Sequence, residues 1–284
     1  MLIPESLRAA AARWNFTDWL DRLEGLVASC VERWSLQLQG PYPEGANAWV
    51  APVIRPDGSD AVLKVSHRHA EAEYEAEGLR VWDGRGAVRL FDHFTTDDTA
   101  VLLLERCVPG ATLRTQATEP EQDEVIAEML KQLWIAPPSG CEIPPLSKLS
   151  AIWSNDIGPG VDEALAREAR SVFAELSTDG NDRVLLCTDL HAGNVLAATR
   201  QPWLMIDPKP FVGDRAFDPV QHLLNALDRL ASDPSGVTER MAALADVDVS
   251  RLRHWVFARC VSELGGPDIA DQDALEHVAR RLAP

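Results

Sequence analysis

The hydrophobic period of this 284-residue chain changes once, near residue 107, and that change constrains its fold more than any other feature. Before it, short apolar runs (Leu36 and Leu38, then 48–55, 61–65, 87–91 and 101–104) are punctuated by turn signals such as Pro56-Asp57-Gly58 and Thr95-Thr-Asp-Asp98. Period two broken by tight turns predicts a meander of about five antiparallel strands. Two helices are expected alongside. Trp19, Leu20, Leu23, Leu26, Val27, Cys30 and Trp34 recur at helical spacing over 17–34, with Thr17 placed to cap the first turn. Residues 67–82, rich in Glu and Ala with Tyr74, Gly78 and Val81 on one face, read as a second helix inserted in the meander, closed by Gly84 and Gly86. Beyond Pro109-Gly110 the period becomes helical. Val125, Met129, Leu133 and Trp134 make a buried stripe, a Pro/Gly-rich linker covers 137–145, and helices are expected over 161–176, 220–230, 238–244 and 250–264. Only 183–187 and 203–206 look like strands there. The expected fold class is α+β, with an antiparallel-sheet lobe at 1–107 and a larger, mainly helical lobe at 108–284.

Composition narrows the function classes. A hydrophobic fraction of 46% suffices for a sizeable core. The opening residues Met1 to Arg13 carry Glu5, Arg8 and Arg13 among alanines, unlike a secretory signal, and no run approaches the roughly 20 apolar residues that span a bilayer. A cytoplasmic protein is expected. Cys30, Cys107, Cys141, Cys187 and Cys260 lack the spacing of a disulfide framework or a zinc site and read as free thiols. The net charge of −17 repels nucleic acid and anionic membranes and favours a cationic partner or a metal-bearing ligand. The nine tryptophans fall mostly on helical apolar faces and read as core, Trp153 and Trp255 least clearly.

The chemistry lies in Val184-Leu-Leu-Cys-Thr-Asp-Leu-His-Ala-Gly-Asn-Val-Leu196, followed by Trp203-Leu-Met-Ile-Asp-Pro208. One apolar run delivers Asp189 to a loop, Asn194 follows five residues on, and a second run delivers Asp207 a further 13 along. Phosphoryl transfer needs little more than this: a carboxylate to take the proton of the attacking hydroxyl, and oxygen ligands for Mg²⁺. Asp189 is the candidate base, and Asn194 and Asp207 the candidate metal ligands. Asp-x₄-Asn is also the separation of base and metal ligand in the kinase loop.

The stretch Cys187-Thr188-Asp189-Leu190-His191-Ala192-Gly193-Asn194 with Ile206-Asp207 resembles the His-Gly-Asp-Leu-His-x-x-Asn loop and Ile-Asp motif of aminoglycoside phosphotransferases. Leu79-Arg80-Val81-Trp82, Ile206-Asp-Pro-Lys-Pro-Phe-Val-Gly213 and Phe217-Asp218 make it similar to the streptomycin 6-kinase and hydroxyurea phosphotransferase branch, over a match from about Trp34 to the C-terminal helices. Two positions depart from the pattern: Cys187-Thr188 stands where His-Gly is usual, and a buried Cys fills part of the volume of a histidine that serves the family as scaffold.

The resemblance implies a bilobal protein-kinase-like fold, ATP and Mg²⁺ as cofactors, and a hydroxyl of a small cationic molecule, streptomycin or a related aminoglycoside, as acceptor. It implies that Lys64 reaches the α- and β-phosphates, with Glu75 as its ion-pair partner and Glu71 and Glu73 as competitors on the same helix. Gly45, Ala46 and Asn47 are placed to fold over phosphates through backbone amides, and Glu105, Arg106 and Cys107 resemble the hinge whose backbone meets adenine. Asp218 resembles the aspartate that braces the catalytic loop, Asp214 reads as the cap of a turn, and His191 as a structural loop histidine. Asp156, Asp162, Glu163 and Asp228 are candidate acids for a cationic substrate, with Asn225 a possible polar contact. Hydroxyurea or an amino sugar is the alternative acceptor, and a nucleotide-binding pseudokinase the alternative of another class. A protein kinase fits poorly, since Asp207 to Asp218 leaves no room for an activation segment.

Overall fold

The computed structural model describes residues 1–43, 48–68, 73–178, 183–266 and 271–284, and separates into two compact units, Met1–Gly110 and Ala111–Pro284. The first unit runs α1 (Glu5–Arg13), α2 (Thr17–Trp34), β1 (Gln37–Leu38), β2 (Ala48–Ile54), β3 (Asp60–His67), α3 (Glu75–Trp82), β4 (Leu90–Thr95) and β5 (Thr99–Glu105). Its strands form one antiparallel sheet in the order β1-β2-β3-β5-β4. Alternation decides the faces. Trp49, Ala51 and Val53, Ala61, Leu63 and Val65, and Val101 and Leu103 share one core with Trp19, Leu23, Val27 and Cys30 of α2. Each large side chain buried in this way contributes about 1.5–3 kcal/mol. The buried Trp19 indole stays satisfied by donating to Thr99 Oγ1 at 3.0 Å. Lys64 lies between Leu63 and Val65, in register with Val50 and Leu102, so it projects from the opposite face.

Three sequence expectations change here. The helix expected over 67–82 begins at Glu75: His67 instead ends β3, paired with Thr99 and stacked on Phe16 at 4.5 Å. The strand expected at 87–91 begins at Leu90, because Ala87 and Val88 are buried as a packed approach, while β4 is a half-exposed edge with a register shift between Leu90 and Asp92. Thr17 does not cap α2. It is the first helical residue, preceded by Phe16, with no side-chain cap.

The second unit runs α4 (Leu113–Gln116), α5 (Glu119–Leu133), α6 (Leu146–Asp156), α7 (Glu163–Leu176), β6 (Arg183–Leu186), β7 (Val195–Ala197), β8 (Trp203–Met205), β9 (Phe211–Asp214), α8 (Val220–Leu224), α9 (Leu227–Ser232), α10 (Pro234–Ala245), α11 (Val249–Glu263) and α12 (Gln272–Leu282). Buried Trp255, Val256, Phe257, Cys260 and Val261 on α11 and Ala169, Val172 and Phe173 on α7 belong to one core. Such burial around much of its circumference marks α11 as a central helix. Trp255 meets Phe217 edge-on at 5.2 Å, and Trp153 stacks on Phe217 at 5.4 Å, so both tryptophans pack rather than present a platform. The helix expected over 220–230 divides after Leu224. Asn225 turns its side-chain amide back to the Gln221 carbonyl at 2.9 Å, the local competition that disfavours asparagine within helices. Among the described residues no helix is long and apolar enough to cross a membrane.

Two short ribbons set up the loop region: β6 pairs with β9 and β7 with β8, both antiparallel. Gly213 in β9 is a packing glycine, since a Cβ there would stand 2.5 Å from that of Leu146.

Candidate active site

Strand β6 ends at Leu186, and the backbone turns sharply through Thr188, at φ +50°, to present Asp189. The turn is held from beneath by Asp218, which has no exposed surface. One carboxylate oxygen accepts from the Thr188 amide at 2.7 Å. The other accepts from the Cys187 amide at 3.2 Å, the Cys187 thiol at 3.3 Å and the Trp134 indole at 2.9 Å. Burial pushes the Asp218 carboxyl above its ordinary range, and these donors pull it only part of the way back. Burial, and then the charge of Asp218, raise the Cys187 thiol well above its usual range, so Cys187 stays protonated and donates.

The far side of the loop is tied to the second ribbon. The Cys187 carbonyl accepts from the amides of Asp189 at 2.7 Å and Lys209 at 3.0 Å, and Thr188 Oγ1 donates to the Lys209 carbonyl at 2.5 Å. Asn194 donates from Nδ2 to the Asp189 carbonyl at 3.1 Å and approaches Asp189 Oδ2 at 3.5 Å. Its own carbonyl accepts from the Ile206 amide at 2.9 Å, which sets Asp207, at φ +53°, beside it across the β7–β8 ribbon. Lys209 closes the group with Nζ 3.2 Å from Asp189 Oδ2. A base-type carboxylate, a carboxamide, a second carboxylate and an ammonium are thereby gathered on two adjacent loops. Asn194 and Asp207 offer oxygen, the donor that magnesium prefers. Among the described residues no three His, Cys, Asp or Glu side chains gather into a metal-binding cluster.

In the sheet unit, Lys64 Nζ lies 2.8 Å from both carboxylate oxygens of Glu75, with both residues buried. Glu73 pairs with Arg68 at 3.3 Å instead, and Glu71 lies outside the described residues, as do Gly45, Ala46 and Asn47. Glu105 accepts from the Arg89 amide at 3.0 Å and Arg106 pairs with Asp60 at 2.8 Å, while Cys107 is buried. The side chains of this segment therefore serve local structure.

The architecture has been met before. The model of the aminoglycoside/hydroxyurea antibiotic resistance kinases matches residues 33–264. The chain belongs to that family. It is 36% identical over 274 residues to a streptomycin 6-kinase of Streptomyces griseus, covering 90% of this chain and 88% of that one. It is also 35% identical over 258 residues to a hydroxyurea phosphotransferase of Kitasatospora aureofaciens, covering 86% and 73%. In fold it is similar to the choline kinase LicA of Streptococcus pneumoniae, with a TM-score of 0.61 at 13% identity over 92% of this chain and 99% of that one. A macrolide 2'-phosphotransferase of Brachybacterium faecium gives a TM-score of 0.56 at 17% identity, over 91% and 98%. The chain is a small-molecule kinase with a protein-kinase-like α+β fold.

Within the aminoglycoside/hydroxyurea kinase family, the departure at Cys187-Thr188 acquires a physical meaning. Position 188 is left-handed, where glycine is comfortable and a β-branched residue is strained. Thr188 offsets this strain with its hydroxyl bond to Lys209. Thr188→Gly should therefore be about 1 kcal/mol more stable than Thr188→Ala, since both lack the hydroxyl and differ mainly in the left-handed penalty. Urea unfolding of the two variants measures the difference.

His191 accepts from the Gly193 amide through Nδ1 at 3.1 Å. Gly193 lets the ring lie close to the backbone: a Cβ there would stand 2.8 Å from the imidazole, which would have to shift. Burial first, then Arg114, push His191 down to about 4, so the ring is neutral near pH 7. A histidine depressed when folded contributes stability that is full above its unfolded value of about 6.5 and is lost as pH falls toward 4. The melting temperature of wild type should thus fall more steeply between pH 6.5 and 4 than that of His191→Gln; parallel curves would contradict this.

Arg114 is the residue that sequence reasoning passed over. Its amide donates to the Ala192 carbonyl at 3.0 Å and its guanidinium to Asn225 Oδ1 at 3.1 Å, standing 3.4 Å from His191 Nδ1. Its only sequence signal is a lone cation shortly after Pro109-Gly110. Of the candidate acids, Asp162 caps α7 by accepting from Ala164 and Leu165, while Asp156, Glu163 and Asp228 stand exposed on α6, α7 and α9. Asp214 caps the turn at Arg215–Phe217 and also accepts from Arg251 and Trp255.

Proposed function

We propose that this chain transfers the γ-phosphate of ATP to a hydroxyl of a small cationic antibiotic, streptomycin or a related aminoglycoside, in the cytoplasm. The observation that carries the reading is Asp189 on a braced turn with Asn194, Asp207 and Lys209 gathered around it. Asp189 takes the proton of the acceptor hydroxyl as its oxygen attacks. Asn194 and Asp207 would hold Mg²⁺, which supplies charge neutralisation on the phosphates when bound. Their fit rests on donor chemistry: both present oxygen, and the Asn194 amide nitrogen is occupied by the Asp189 carbonyl.

The roles proposed for the two units extend the family resemblance to the residues of each. Residues 1–107 take the nucleotide, with Lys64 meeting its α- and β-phosphates and Glu75 holding that ammonium in place. The amides of Gly45, Ala46 and Asn47 cover the phosphates, and the backbone of Glu105, Arg106 and Cys107 meets adenine. Residues 108–284 take the acceptor and carry the chemistry, with Cys187, His191 and Asp218 supporting the loop. A net charge of −17 favours encounter with a guanidinium-bearing or amine-bearing molecule.

Hydroxyurea is the second acceptor to test, because the relative that bears its name is as similar as the streptomycin kinases. Transfer from γ-labelled ATP, with streptomycin, hydroxyurea, glucosamine and other aminoglycosides offered separately, decides among them. Labelled streptomycin supports the reading. Label on hydroxyurea or glucosamine alone moves the assignment to that acceptor, and Mg-ATP binding without transfer to any acceptor points to a pseudokinase.

A further inference from the structure

Lys209 occupies a position that a simple surface ion pair does not explain. It sits between Pro208 and Pro210, whose rings restrict the backbone around it. Its amide and carbonyl are both bonded to the catalytic turn, to the Cys187 carbonyl at 3.0 Å and Thr188 Oγ1 at 2.5 Å. Its ammonium is thereby delivered to Asp189 Oδ2 at 3.2 Å, with the lysine side chain 30% exposed and that of Asp189 17% exposed. A partly exposed pair contributes roughly 0–1 kcal/mol to stability, too little to account for an anchored lysine. A cation anchored this firmly beside the proposed base calls for a service in the reaction beyond that pair.

Transfer geometry identifies that service. A hydroxyl in reach of Asp189 lies about 2.6–3.2 Å from its carboxylate, and phosphorus lies about 3–3.5 Å from the attacking oxygen. The equatorial oxygens of the moving group then fall within reach of an ammonium already 3.2 Å from the same carboxylate. An ammonium carries three donors, enough to meet a carboxylate and a phosphoryl oxygen together. Charge accumulates on those oxygens in the transition state, where fixed cations act most strongly.

We propose that Lys209 is a catalytic residue whose ammonium bridges the Asp189 carboxylate and an equatorial oxygen of the phosphoryl group in transfer. The inference rests on the phosphotransfer reading above. The acceptor oxygen forms the new bond to γ-phosphorus, the bond to the bridging oxygen breaks and its electron pair leaves with ADP, the hydroxyl proton passes to Asp189, and Lys209 stays protonated throughout.

Two measurements test it. With an acceptor that the wild-type enzyme phosphorylates, Lys209→Met should lower kcat about a hundredfold. The KM of the acceptor, the Kd of Mg-ATP and the melting temperature should stay near wild type, and Lys209→Arg should recover part of the rate. The second needs no acceptor: ADP with aluminium fluoride, a mimic of the moving phosphoryl group, should bind Lys209→Met about a hundredfold more weakly than wild type, with ADP alone unchanged. A kcat within threefold of wild type, a rate loss matched by the loss of fold, or equal binding of the mimic would overturn the assignment. Failure of wild type to phosphorylate any acceptor would instead fault the functional reading, and binding of the mimic would still decide the role of Lys209.

Discussion

Asp189→Ala should lower phosphoryl transfer by about 10³–10⁴-fold, at the upper end of what a positioned general base contributes, while leaving the fold intact. The side chain is held at the surface of the loop rather than beneath it: Lys209 and Asn194 approach Oδ2 at 3.2 and 3.5 Å, and the turn itself is braced by Asp218. Removing the carboxylate therefore deletes the proton acceptor without deleting the support. Steady-state kinetics with the preferred acceptor, alongside a thermal melt, make the check. A loss near tenfold would assign proton acceptance elsewhere, and a collapsed melt would make Asp189 structural.

Asp218→Ala should act through stability, by about 3–5 kcal/mol, because it strands donors inside the protein. The Thr188 and Cys187 amides, the Cys187 thiol and the Trp134 indole all converge on this buried carboxylate. Asparagine is a poor substitute despite its shape. Both carboxylate oxygens accept hydrogen bonds here, so either orientation of the amide sets its NH₂ against a donor. At about 2–4 °C per kcal/mol, the expected fall in melting temperature is roughly 6–20 °C for alanine. Transfer should fall with it as Asp189 loses its fixed position. A variant that melts within 2 °C of wild type, roughly the shift of a single kcal/mol, would show that the clamp is dispensable.

Why some of this was legible in the sequence is a matter of range. Asp189 and Asp207 could be found because each follows an apolar run long enough to read as a strand, seen as β6 and β8. Lys64 and Glu75 are separated by 11 residues, and an ion embedded in an apolar strand demands a partner. Arg114 and Asn225 meet across 111 residues and Asp123 receives Arg229 across 106, and no local pattern encodes such pairs. Strand β9 contains Gly213 and Asp214, which weaken a strand signal, and β7 runs on directly from the polar loop that ends at Asn194, so neither stands out as a separate run. Helix α12 is a different case: the helices expected from the sequence stop at 264, although Ala274, Leu275, Val278, Ala279 and Leu282 form a stripe at helical spacing. The late start of α3 and the edge strand β4 show tertiary packing overriding composition. His67 has a strand partner and a stacking partner, and β4 holds its place by backbone pairing with little apolar burial.

The most direct test of the central claim is the fate of the phosphate itself. Phosphorus NMR of the purified protein with Mg-ATP and streptomycin should show a new phosphomonoester resonance growing as the γ-phosphate signal disappears, and Asp189→Ala should suppress it. An unchanged ATP spectrum, or conversion to ADP and inorganic phosphate alone at equal rates with and without streptomycin, would contradict transfer to this acceptor.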